Sequence, residues 1–422
     1  MILACNHDGA AAPAAPPRVP TVGTQSSAAG FATSQPSLAH GLVDGAQLTP
    51  LVSVGDELPG GVVWAPTPDG LGAYASGSDV VLFANHELSA AGVPGTDGAP
   101  RFQYARVSRL VIDPASRTVT SASYPVNGSE LFERLCSATW VGVREGFPVG
   151  QFLTGEESVG TANDGIQLAV DGEGNVKQLP WIGRYAHENL IAVPGFPGRT
   201  VMIGLDDARG RSELYMYVGE TADDVLDGSG KLYVFTSSQA ANVAELDAGQ
   251  PIVGDFVEVP ESRDISSDSL QTRVNALGAF PFVRLEDGDY DHSLRRGGRP
   301  AIYFVDTGAE QVLCGTAPCD AHGSIYRMEF SNSEPTKGAR LMLEERSAGA
   351  SASARSSASA SASPLAYRSS GRLARQRSTT AASVGGTAGA ASRSGGAGRV
   401  AWATRIAGPA SPSNGRRPLR TW

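Results

Sequence analysis

Long apolar runs are missing from this sequence: no stretch reaches the roughly 18 residues of a membrane-spanning helix. Apolar residues at helical spacing are also scarce, and only residues 125–137 and 239–247 have a pattern that favours short helices. Aromatic residues make up 7% of the chain, which contains 51 glycines and 27 prolines. This composition favours many turns between short strands over a fold of long helices.

Acidic residues and lysine are absent after Glu345, where 12 arginines carry all of the charge. The residues up to Glu345 therefore hold all 43 acidic residues but only 22 of the 34 basic ones. Such an acidic body argues against nucleic acid as a partner and is compatible with divalent cations bound by clustered carboxylates. An acidic surface kept for solubility explains the net charge equally well, so the positions of the carboxylates must decide.

The N-terminal residues 2–5 (ILAC) resemble a bacterial lipobox, in which Cys5 would be the lipidated residue of an exported lipoprotein. The basic and apolar parts of a signal peptide are missing, so the start codon is assigned too late or the match is due to chance. Residues 6–40 are rich in Ala, Pro, Ser and Gly. We therefore expect residues 1–45 to form a lipobox-like start and a disordered tether.

The C-terminal residues 346–422 form a low-complexity tail rich in Arg, Ser and Ala, without apolar periodicity. These residue types are typical of GC-rich DNA read out of frame. Our hypothesis is that a frameshift near codon 346 replaced the native C-terminus. A disordered cationic arm that binds a membrane or a polyanion, or a cell-wall linker, are the alternatives.

Residues 46–345 alternate short apolar runs with turn signals, for example at 80–84, 107–112, 201–205 and 301–305. The pattern predicts an all-β domain, and its repeated units of two strands around an Asp-Gly turn favour a β-propeller. A two-sheet sandwich is the alternative. In a propeller, loops at one end of the central channel converge, so carboxylates far apart in sequence can line one metal site.

Polar residues that bind metals or phosphate follow several of the apolar runs. Oxygen ligands suit calcium, whereas a thiolate among carboxylates suits iron or another transition metal. Each residue taken alone is more often a solvated side chain or, for a buried cysteine, a small hydrophobic one. The candidates are His86, Glu87, Cys136, Glu156, Glu157, His187, Glu188, Asp206, Asp207, Glu213, Arg284, Glu286 and Asp287.

Seven ordered motifs between about residues 50 and 330 resemble the PhoX-type alkaline phosphatases. They are NHE at 85–87, RLCSAT at 134–139, FLTGEES at 152–158, GRYAHEN at 183–189, GLDDARGRSELYMYVG at 204–219, FVRLEDGDYD at 282–291 and YFVDTG at 303–308. The resemblance implies an exported, monomeric β-propeller, six-bladed in the family. Its implied activity is hydrolysis of small phosphate monoesters at a cluster of iron and calcium ions.

The resemblance also implies roles for individual residues. Cys136 would be the thiolate ligand of iron, and Arg284 would contact the substrate phosphate. The carboxylate ligands would be Glu87, Glu156, Glu157, Glu188 and Glu286. Candidate calcium ligands or supporting residues are His86, His187, Asp206, Asp207, Glu213 and Asp287, although His187 can equally be a core histidine. Cys314 and Cys319 could form a disulfide, which export permits.

Two other functions stay open from the sequence. One is a propeller lipoprotein that binds calcium or a partner without catalysis, in which Cys136 and Glu286 would not meet at one centre. The other is a calcium-dependent propeller hydrolase such as a lactonase, with Cys136 buried away from the channel. In the family, the sequence continues beyond the segment that corresponds to GSIYRMEF (323–330) with further strands. If the tail is out of frame, we expect the propeller to be incomplete and its activity impaired.

Overall fold

Strands dominate the computed structural model, which describes residues 30–37, 39, 48–94, 100–293 and 298–347. One compact unit contains residues 30–34 and 51–347 of these, and it holds every strand. Residues 35–37, 39 and 48–50 belong to a second unit and include no helix or strand. The predicted strands at 80–84, 107–112, 201–205 and 301–305 each lie within an observed strand. The predicted all-β class is therefore confirmed.

The first four-stranded sheet follows a small hairpin of β1 (Glu57–Leu58) and β2 (Val62–Val63). It begins with β3 (Pro68–Ser76) and β4 (Asp79–His86), which are followed in the chain by a hairpin of β5 (Val93–Pro94) and β6 (Pro100–Arg101). The strands β7 (Arg106–Asp113) and β8 (Thr118–Val126) complete the sheet. All neighbours are antiparallel, in the order β3-β4-β7-β8.

The second sheet repeats this arrangement with shorter strands. It contains β9 (Leu135–Val141), β10 (Gln151–Glu156), β11 (Gln167–Asp171) and β12 (Val176–Gln178), adjacent in chain order. The turn predicted after Val170 is present, because Asp171 Oδ1 accepts hydrogen bonds from the N–H groups of Glu173 and Asn175, both at 2.9 Å. A side chain that bonds its own turn in this way ends the strand at a fixed residue.

The third and fourth sheets have the same antiparallel order and are joined at their outer edges. The third contains β13 (His187–Val193), β14 (Thr200–Asp206), β16 (Leu214–Gly219) and β17 (Lys231–Thr236), with β15 (Arg211–Ser212) between β14 and β16 in the chain. The next strand, β18 (Ile252–Glu258), pairs with the outer strand of the third sheet and with the outer strand of the fourth, and so joins the two sheets. It is followed by β19 (Phe282–Val283), which pairs with β15. The fourth contains β20 (Leu285–Tyr290), β21 (Ala301–Asp306), β24 (Ser324–Glu329) and β25 (Ala339–Arg346), with a hairpin of β22 (Leu313–Cys314) and β23 (Ala317–Pro318).

The first strands of consecutive sheets pack against one another in the order β3, β9, β13, β20. Four-stranded antiparallel sheets whose first strands meet in chain order are the blades of a β-propeller. The propeller predicted from the sequence is thus the observed fold, and the described residues form four blades. The first strand of every blade lies on the inner side, where residues from different blades can meet.

Apolar side chains hold neighbouring blades together. Phe83 of the first blade stacks on Trp140 and Phe152 of the second, at ring-centroid distances of 5.8 and 5.2 Å. Phe282 and Tyr326 make an edge-to-face contact within a larger cluster that extends over the third and fourth blades. Full burial of such a side chain stabilises the fold by about 1.5–3 kcal/mol. The blades therefore form a rigid support for the polar residues at their inner ends.

Among the described residues, two α-helices lie outside the predicted segments. They are α1 (Ala222–Asp227) and α2 (Ser267–Ala276), and each begins after a residue, Thr221 or Ser266, whose hydroxyl accepts a backbone N–H. The helices predicted at 125–137 and 239–247 are wrong. The first segment contains the end of β8, a loop and the start of β9, and the second has only the 3-10 turn Val243–Glu245. The apolar residues at 125–137 belong to the ends of two strands and to the loop between them, where Phe132 is buried. Their helix-like spacing therefore does not come from a helix.

In the part of the chain that the structure describes, no helix is both long enough and apolar enough to cross a membrane. Cys314 and Cys319 form a disulfide that closes the hairpin of β22 and β23. Cys5, residues 1–29 of the expected tether and nearly all of the tail expected after residue 345 lie outside the described residues. Within the expected tether, Phe31 is buried and pairs with Val119 through two backbone hydrogen bonds, so this part of the segment packs on the first blade.

Candidate metal centre

The same irregularity occurs near the start of the first strand in all four blades. Two residues of the first strand face one residue of the second, which is a β-bulge. The bulged pairs are Asp69 with Gly70, Cys136 with Ser137, Glu188 with Asn189, and Glu286 with Asp287. A bulge re-aims the side chains that it carries, and the first strands lie next to one another. The repeat therefore offers one metal-binding side chain from each blade to a common centre.

The second strand of each blade ends beside this bulge. In each blade the residue after that strand donates its N–H to the carbonyl two residues before the bulged pair. The bonds run from Glu87 to Thr67, from Glu157 to Arg134 and from Asp207 to Ala186, all at 2.9 Å, and from Thr307 to Arg284 at 3.1 Å. Three blades thus add a second carboxylate at the equivalent position, from Glu87, Glu157 and Asp207.

Two groups of candidate metal ligands share the sulfur of Cys136. Asp69 and Glu87 form the first group with it, and Glu157 and Glu188 form the second. Within each group the ligand atoms lie within 4.8 Å of one another. Blades one, two and three therefore contribute to the two groups. The predicted ligands Glu87, Cys136, Glu157 and Glu188 are brought together, and Asp69 joins them, whereas the predicted ligand Glu286 of the fourth blade belongs to neither group.

Several carboxylate oxygens at this centre are buried without a hydrogen-bond partner. They are Oε2 of Glu157, Oε2 of Glu188 and both oxygens of Glu286. Burial, reinforced by the charges of Glu157 and Glu286, raises the pKa of Glu188 well above its usual range. Burial and the neighbouring charge of Asp207 raise the pKa of Glu286 to about 9. Unpartnered buried carboxylates are costly, and cations would compensate that cost, so these residues fit a metal site.

Arg134 connects the two ligand groups. Its Nε donates to Glu87 Oε1 at 2.9 Å, and its Nη2 donates to Glu157 Oε1. Its side chain is 20% exposed, whereas those of Glu87 and Glu157 are 6% and 1% exposed. The guanidinium thus lies at the more open side of the carboxylates that it holds.

Arg284, predicted to contact phosphate, lies at the same position of the fourth blade as Arg134 of the second. Its Nε and Nη2 donate to the two carboxylate oxygens of Asp207 at 3.0 and 2.9 Å. Nη2 is also 3.6 Å from Glu286 Oε1. The guanidinium is therefore oriented by a carboxylate of the third blade and lies beside the bulge residue of its own blade.

The second residues of the bulges meet as well. Asp287 Oδ1 accepts hydrogen bonds from the hydroxyl of Ser137 and, at 2.9 Å, from Nδ2 of Asn189. Asp287 also adds to the negative potential at Asp69, where burial, with Glu87 and Asp287, raises the pKa to about 7. Asp287 therefore links blades two, three and four next to the ligand groups, in a supporting position.

Glu156 lies at the end of β10, but its carboxylate is used by the protein itself. Oε1 accepts the N–H of Glu133 at 2.8 Å, while Oε2 accepts the N–H of Gly165 and the hydroxyl of Thr161 at 2.9 and 3.0 Å. It belongs to neither ligand group. The structure therefore places Glu156 as an anchor for two loops, and its neighbour Glu157 faces the centre.

Both candidate histidines are buried and bonded to other parts of the protein. His86 Nε2 is 2.6 Å from the hydroxyl of Ser108, and Nδ1 is 3.2 Å from the carbonyl of Pro66. His187 Nε2 is 3.1 Å from the carbonyl of Gly183. Burial lowers the pKa of His86 to about 4 and that of His187 to about 3. Neither is in a ligand group, and both pack as neutral residues beside Glu87 and Glu188.

Asp206 and Glu213 lie on the same blade as Glu188 but outside the two ligand groups. Asp206 accepts the N–H groups of Ala208 and Glu213 at 3.1 and 3.3 Å, so it fixes the loop between β14 and β16. Glu213 Oε1 is bonded to Arg211 and Gln271, at 2.7 and 3.1 Å. Burial raises the pKa of both carboxyl groups. These contacts serve the blade rather than the centre.

Cys136 is fully buried, and its sulfur lies 3.5 Å from Asp69 Oδ2. The sulfur is not a free thiol in this structure. A role as metal ligand therefore requires the reduced form, and it stays a prediction.

Two members of the centre were not predicted from the sequence. Asp69 stands in the segment APTPDG (65–70), which reads as a turn, and nothing in that pattern indicates a ligand. Arg134 could have been found, because Arg134-Leu-Cys136 has the same spacing as Arg284-Leu-Glu286. Both arginines have a positive φ, 52° and 54°, which for residues other than glycine is uncommon and often marks a functional turn.

Comparisons with known proteins agree with this architecture. The family model described as alkaline phosphatase PhoX matches residues 169–375, a segment that continues past residue 346. The solved structure of Pseudomonas fluorescens PhoX with vanadate, a transition state analogue, is similar to this chain with a TM-score of 0.52 and 14% identity. The match covers 69% of this chain and 71% of that one. At this identity the likeness shows the fold alone.

A Bacillus licheniformis GH43 protein, BlXynB, is a more distant structural match. It has a TM-score of 0.33 and 10% identity, over 65% of this chain and 43% of that one. No curated protein matches the sequence. The family model, the propeller and the seven ordered motifs point to the same group of proteins. Over residues 169–375 this chain is similar to the PhoX alkaline phosphatase family, and its fold is similar to that of a PhoX protein.

Proposed function

We propose that this chain is a metal-dependent hydrolase of phosphate monoesters. The observation that carries the proposal is the convergence of buried carboxylates with unpartnered oxygens around Cys136, with Arg284 beside Glu286. A site of this kind combines places for cations with a fixed guanidinium, which is what transfer of a phosphoryl group to water requires. The resemblance to the family suggests iron and calcium as the cations.

In this proposal the metal would be held by Asp69, Glu87, Cys136, Glu157, Glu188 and Glu286. Bound cations would supply positive charge that stabilises the negative charge of the phosphoryl group in the transition state. Arg284 binds the substrate phosphate through its guanidinium, whose plane Asp207 fixes. Water attacks phosphorus, the bond to the ester oxygen breaks, and an alcohol and inorganic phosphate leave.

The two alternative functions fit the geometry less well. A propeller that only binds a partner has no need for a guanidinium held between Asp207 and Glu286. A calcium-dependent lactonase would use oxygen ligands, with Cys136 away from the channel, but the Cys136 sulfur belongs to both ligand groups. Both alternatives become outcomes of the same experiment.

The test is hydrolysis of p-nitrophenyl phosphate by purified protein under reducing conditions, together with elemental analysis for iron and calcium. We expect metal in the protein and hydrolysis that chelation abolishes. A folded, metal-containing protein that cleaves lactones but no phosphate ester would favour the lactonase. A folded protein without either activity would favour the binding protein.

Export as a lipoprotein is part of the proposal and depends on Cys5 and the lipobox-like ILAC. Impaired activity follows from the frameshift hypothesis for residues 346–422. The impairment is tested by the same assay on two proteins: the chain as it stands, and a chain whose tail is translated in the alternative frame. Greater activity of the second protein would support impairment, and equal activity would contradict it.

A further inference from the structure

Arg134 is a basic residue of the candidate centre for which the family resemblance suggested no role. It contacts one carboxylate from each ligand group: Glu87, which follows the first blade's second strand, and Glu157, which follows that of the second blade. The two groups also share the sulfur of Cys136, so Arg134 adds an ion-pair link between residues that a common ligand already joins. The guanidinium therefore helps to set the orientation of Glu87 relative to Glu157.

The contacts leave part of each carboxylate for another partner. Arg134 binds Oε1 of Glu87 and Oε1 of Glu157, while Oε2 of Glu157 is buried and has no hydrogen-bond partner. If the guanidinium of Arg134 only took the place of a metal ion, we would expect it to bind the carboxylate oxygens that a metal would use. A guanidinium that takes one oxygen instead orients the carboxylate and leaves its other oxygen available to a metal.

Glu157 forms hydrogen bonds with both the backbone and the side chain of Arg134. The Arg134 carbonyl accepts the N–H of Glu157 at 2.9 Å, and the φ of Arg134 is 52°. Arg284 has the equivalent backbone bond, from Thr307, and φ of 54°. The repeat thus places two arginines at the same point of two blades, each oriented on carboxylates of the centre.

We propose that Arg134 is a positioning residue that holds Glu87 and Glu157 in the orientation in which both ligand groups bind metal. The inference rests on the proposed function, because it assumes that these groups bind cations. It concerns assembly of the centre, and it assigns Arg134 no contact with the substrate.

The experiment is a calorimetric titration of chelator-treated, reduced protein with CaCl₂. The variants are R134Q and R134K, and the control is R106Q. Arg106 is also half-buried, but its guanidinium donates to the backbone carbonyls of Gln103 and Tyr104 instead of to carboxylates. Loss of a residue that orients metal ligands weakens metal binding by about 10- to 100-fold. We expect a loss in that range for R134Q, a smaller one for R134K, and an unchanged affinity for R106Q.

Thermal unfolding of each variant without and with CaCl₂ separates positioning from a general structural role. A structural role alone would lower both unfolding temperatures equally and leave calcium affinity unchanged, which would overturn the inference. Tighter calcium binding by R134Q would overturn it too, because Arg134 would then compete with the ion. If R134Q does not fold, the titration of R134K decides between these outcomes.

Failure of the proposed function is distinguishable from failure of this inference. A parent protein that binds calcium but hydrolyses no phosphate ester contradicts the proposed reaction, while weaker binding by R134Q would still support the positioning role. A parent protein that binds no calcium overturns the positioning role.

Discussion

Arg284 and Asp207 form a two-point ion pair, with Nε to Oδ1 at 3.0 Å and Nη2 to Oδ2 at 2.9 Å. Asp207 follows the second strand of the third blade, and Arg284 stands at the entrance of the fourth. Two parallel bonds fix the plane of a guanidinium, which a single bond does not. The contact with Asp207 therefore fixes the orientation of the Arg284 guanidinium, which binds the substrate phosphate in the proposed reaction.

Replacing Arg284 with lysine should separate charge from orientation. R284K keeps a positive charge, but an ammonium group cannot reproduce the two parallel bonds to Asp207. Because a misplaced catalytic group costs about 100-fold in rate, we expect kcat/KM for p-nitrophenyl phosphate to fall by about that factor. Steady-state kinetics of R284K and of the control R106K measure this. Parent-like kinetics in R284K would show that the fork geometry is unimportant.

The neighbours Glu156 and Glu157 should respond oppositely to the same change. E156Q places an amide where Glu133, Gly165 and Thr161 donate hydrogen bonds, so we expect a stability loss of about 1–3 kcal/mol and unchanged metal content. E157Q removes a candidate ligand, so metal content should fall. Chemical denaturation and elemental analysis of both variants test the pair. Equal metal loss in both would contradict the roles that we assign.

Glu286 should destabilise the metal-free protein and stabilise the loaded one. Its two oxygens are buried without hydrogen-bond partners, and burial raises its pKa to about 9, so the folded metal-free protein must keep at pH 8 a proton that the unfolded chain releases. The neutral amide of E286Q removes that cost. At pH 8 we expect metal-free E286Q to unfold at a temperature about 2 °C or more above that of the parent. With CaCl₂ the order should reverse. Thermal unfolding in four conditions provides the comparison, and the same order in both states would argue against a ligand role.

Asp306 belongs to neither ligand group and should give the fold a pH dependence of its own. Burial and the charge of Asp320 raise its pKa to about 8, against the lowering effect of hydrogen bonds from Tyr326 and Ser324. The folded state therefore retains a proton that the unfolded chain releases above its ordinary pKa, so the Asp306 contribution to stability falls as pH rises from about 4 to 8.

D306N should remove this contribution. Between pH 4 and 8, its unfolding free energy should depend on pH with a slope smaller than that of the parent by about one proton. Denaturant titrations at several pH values, with CaCl₂ present to occupy the carboxylates of the centre, measure the difference. Identical slopes would place the Asp306 pKa near its ordinary value in the folded protein.

The fold could be predicted from the sequence because its signals are local. Runs such as 80–84 and 201–205, followed by Asp or Gly turns, are read directly, and both lie inside blade strands. The helices could not be located, since α2 begins at its Ser266 cap and buries little more than Leu270 and Val274. Two buried apolar residues are too few to give a helical pattern that can be recognised among the many short apolar runs of this sequence.

The centre could be predicted only in part, for a geometrical reason. Glu188 and Glu286 were recognised through the motifs around them, whereas the bulges that direct them are set by pairing between strands. Asp69 lies in the same bulge of the first blade, but its sequence has no distinguishing motif. Glu156 and Glu157 are equivalent in the sequence, and only the loop that wraps around Glu156 separates their roles.

The repeated bulge also has a consequence for how the protein folds. The ligand groups draw on three blades, and their members from Asp69 to Glu188 are distant in the chain, so an ion among them would be a cross-link that closes long loops. Cross-links of that kind act mainly on the unfolded chain, whose freedom they reduce. The packing of the blades against one another and the binding of the ion would then be coupled, so that each would stabilise the other. Removing the ion would turn a single cooperative unfolding transition into the separate melting of adjoining sheets.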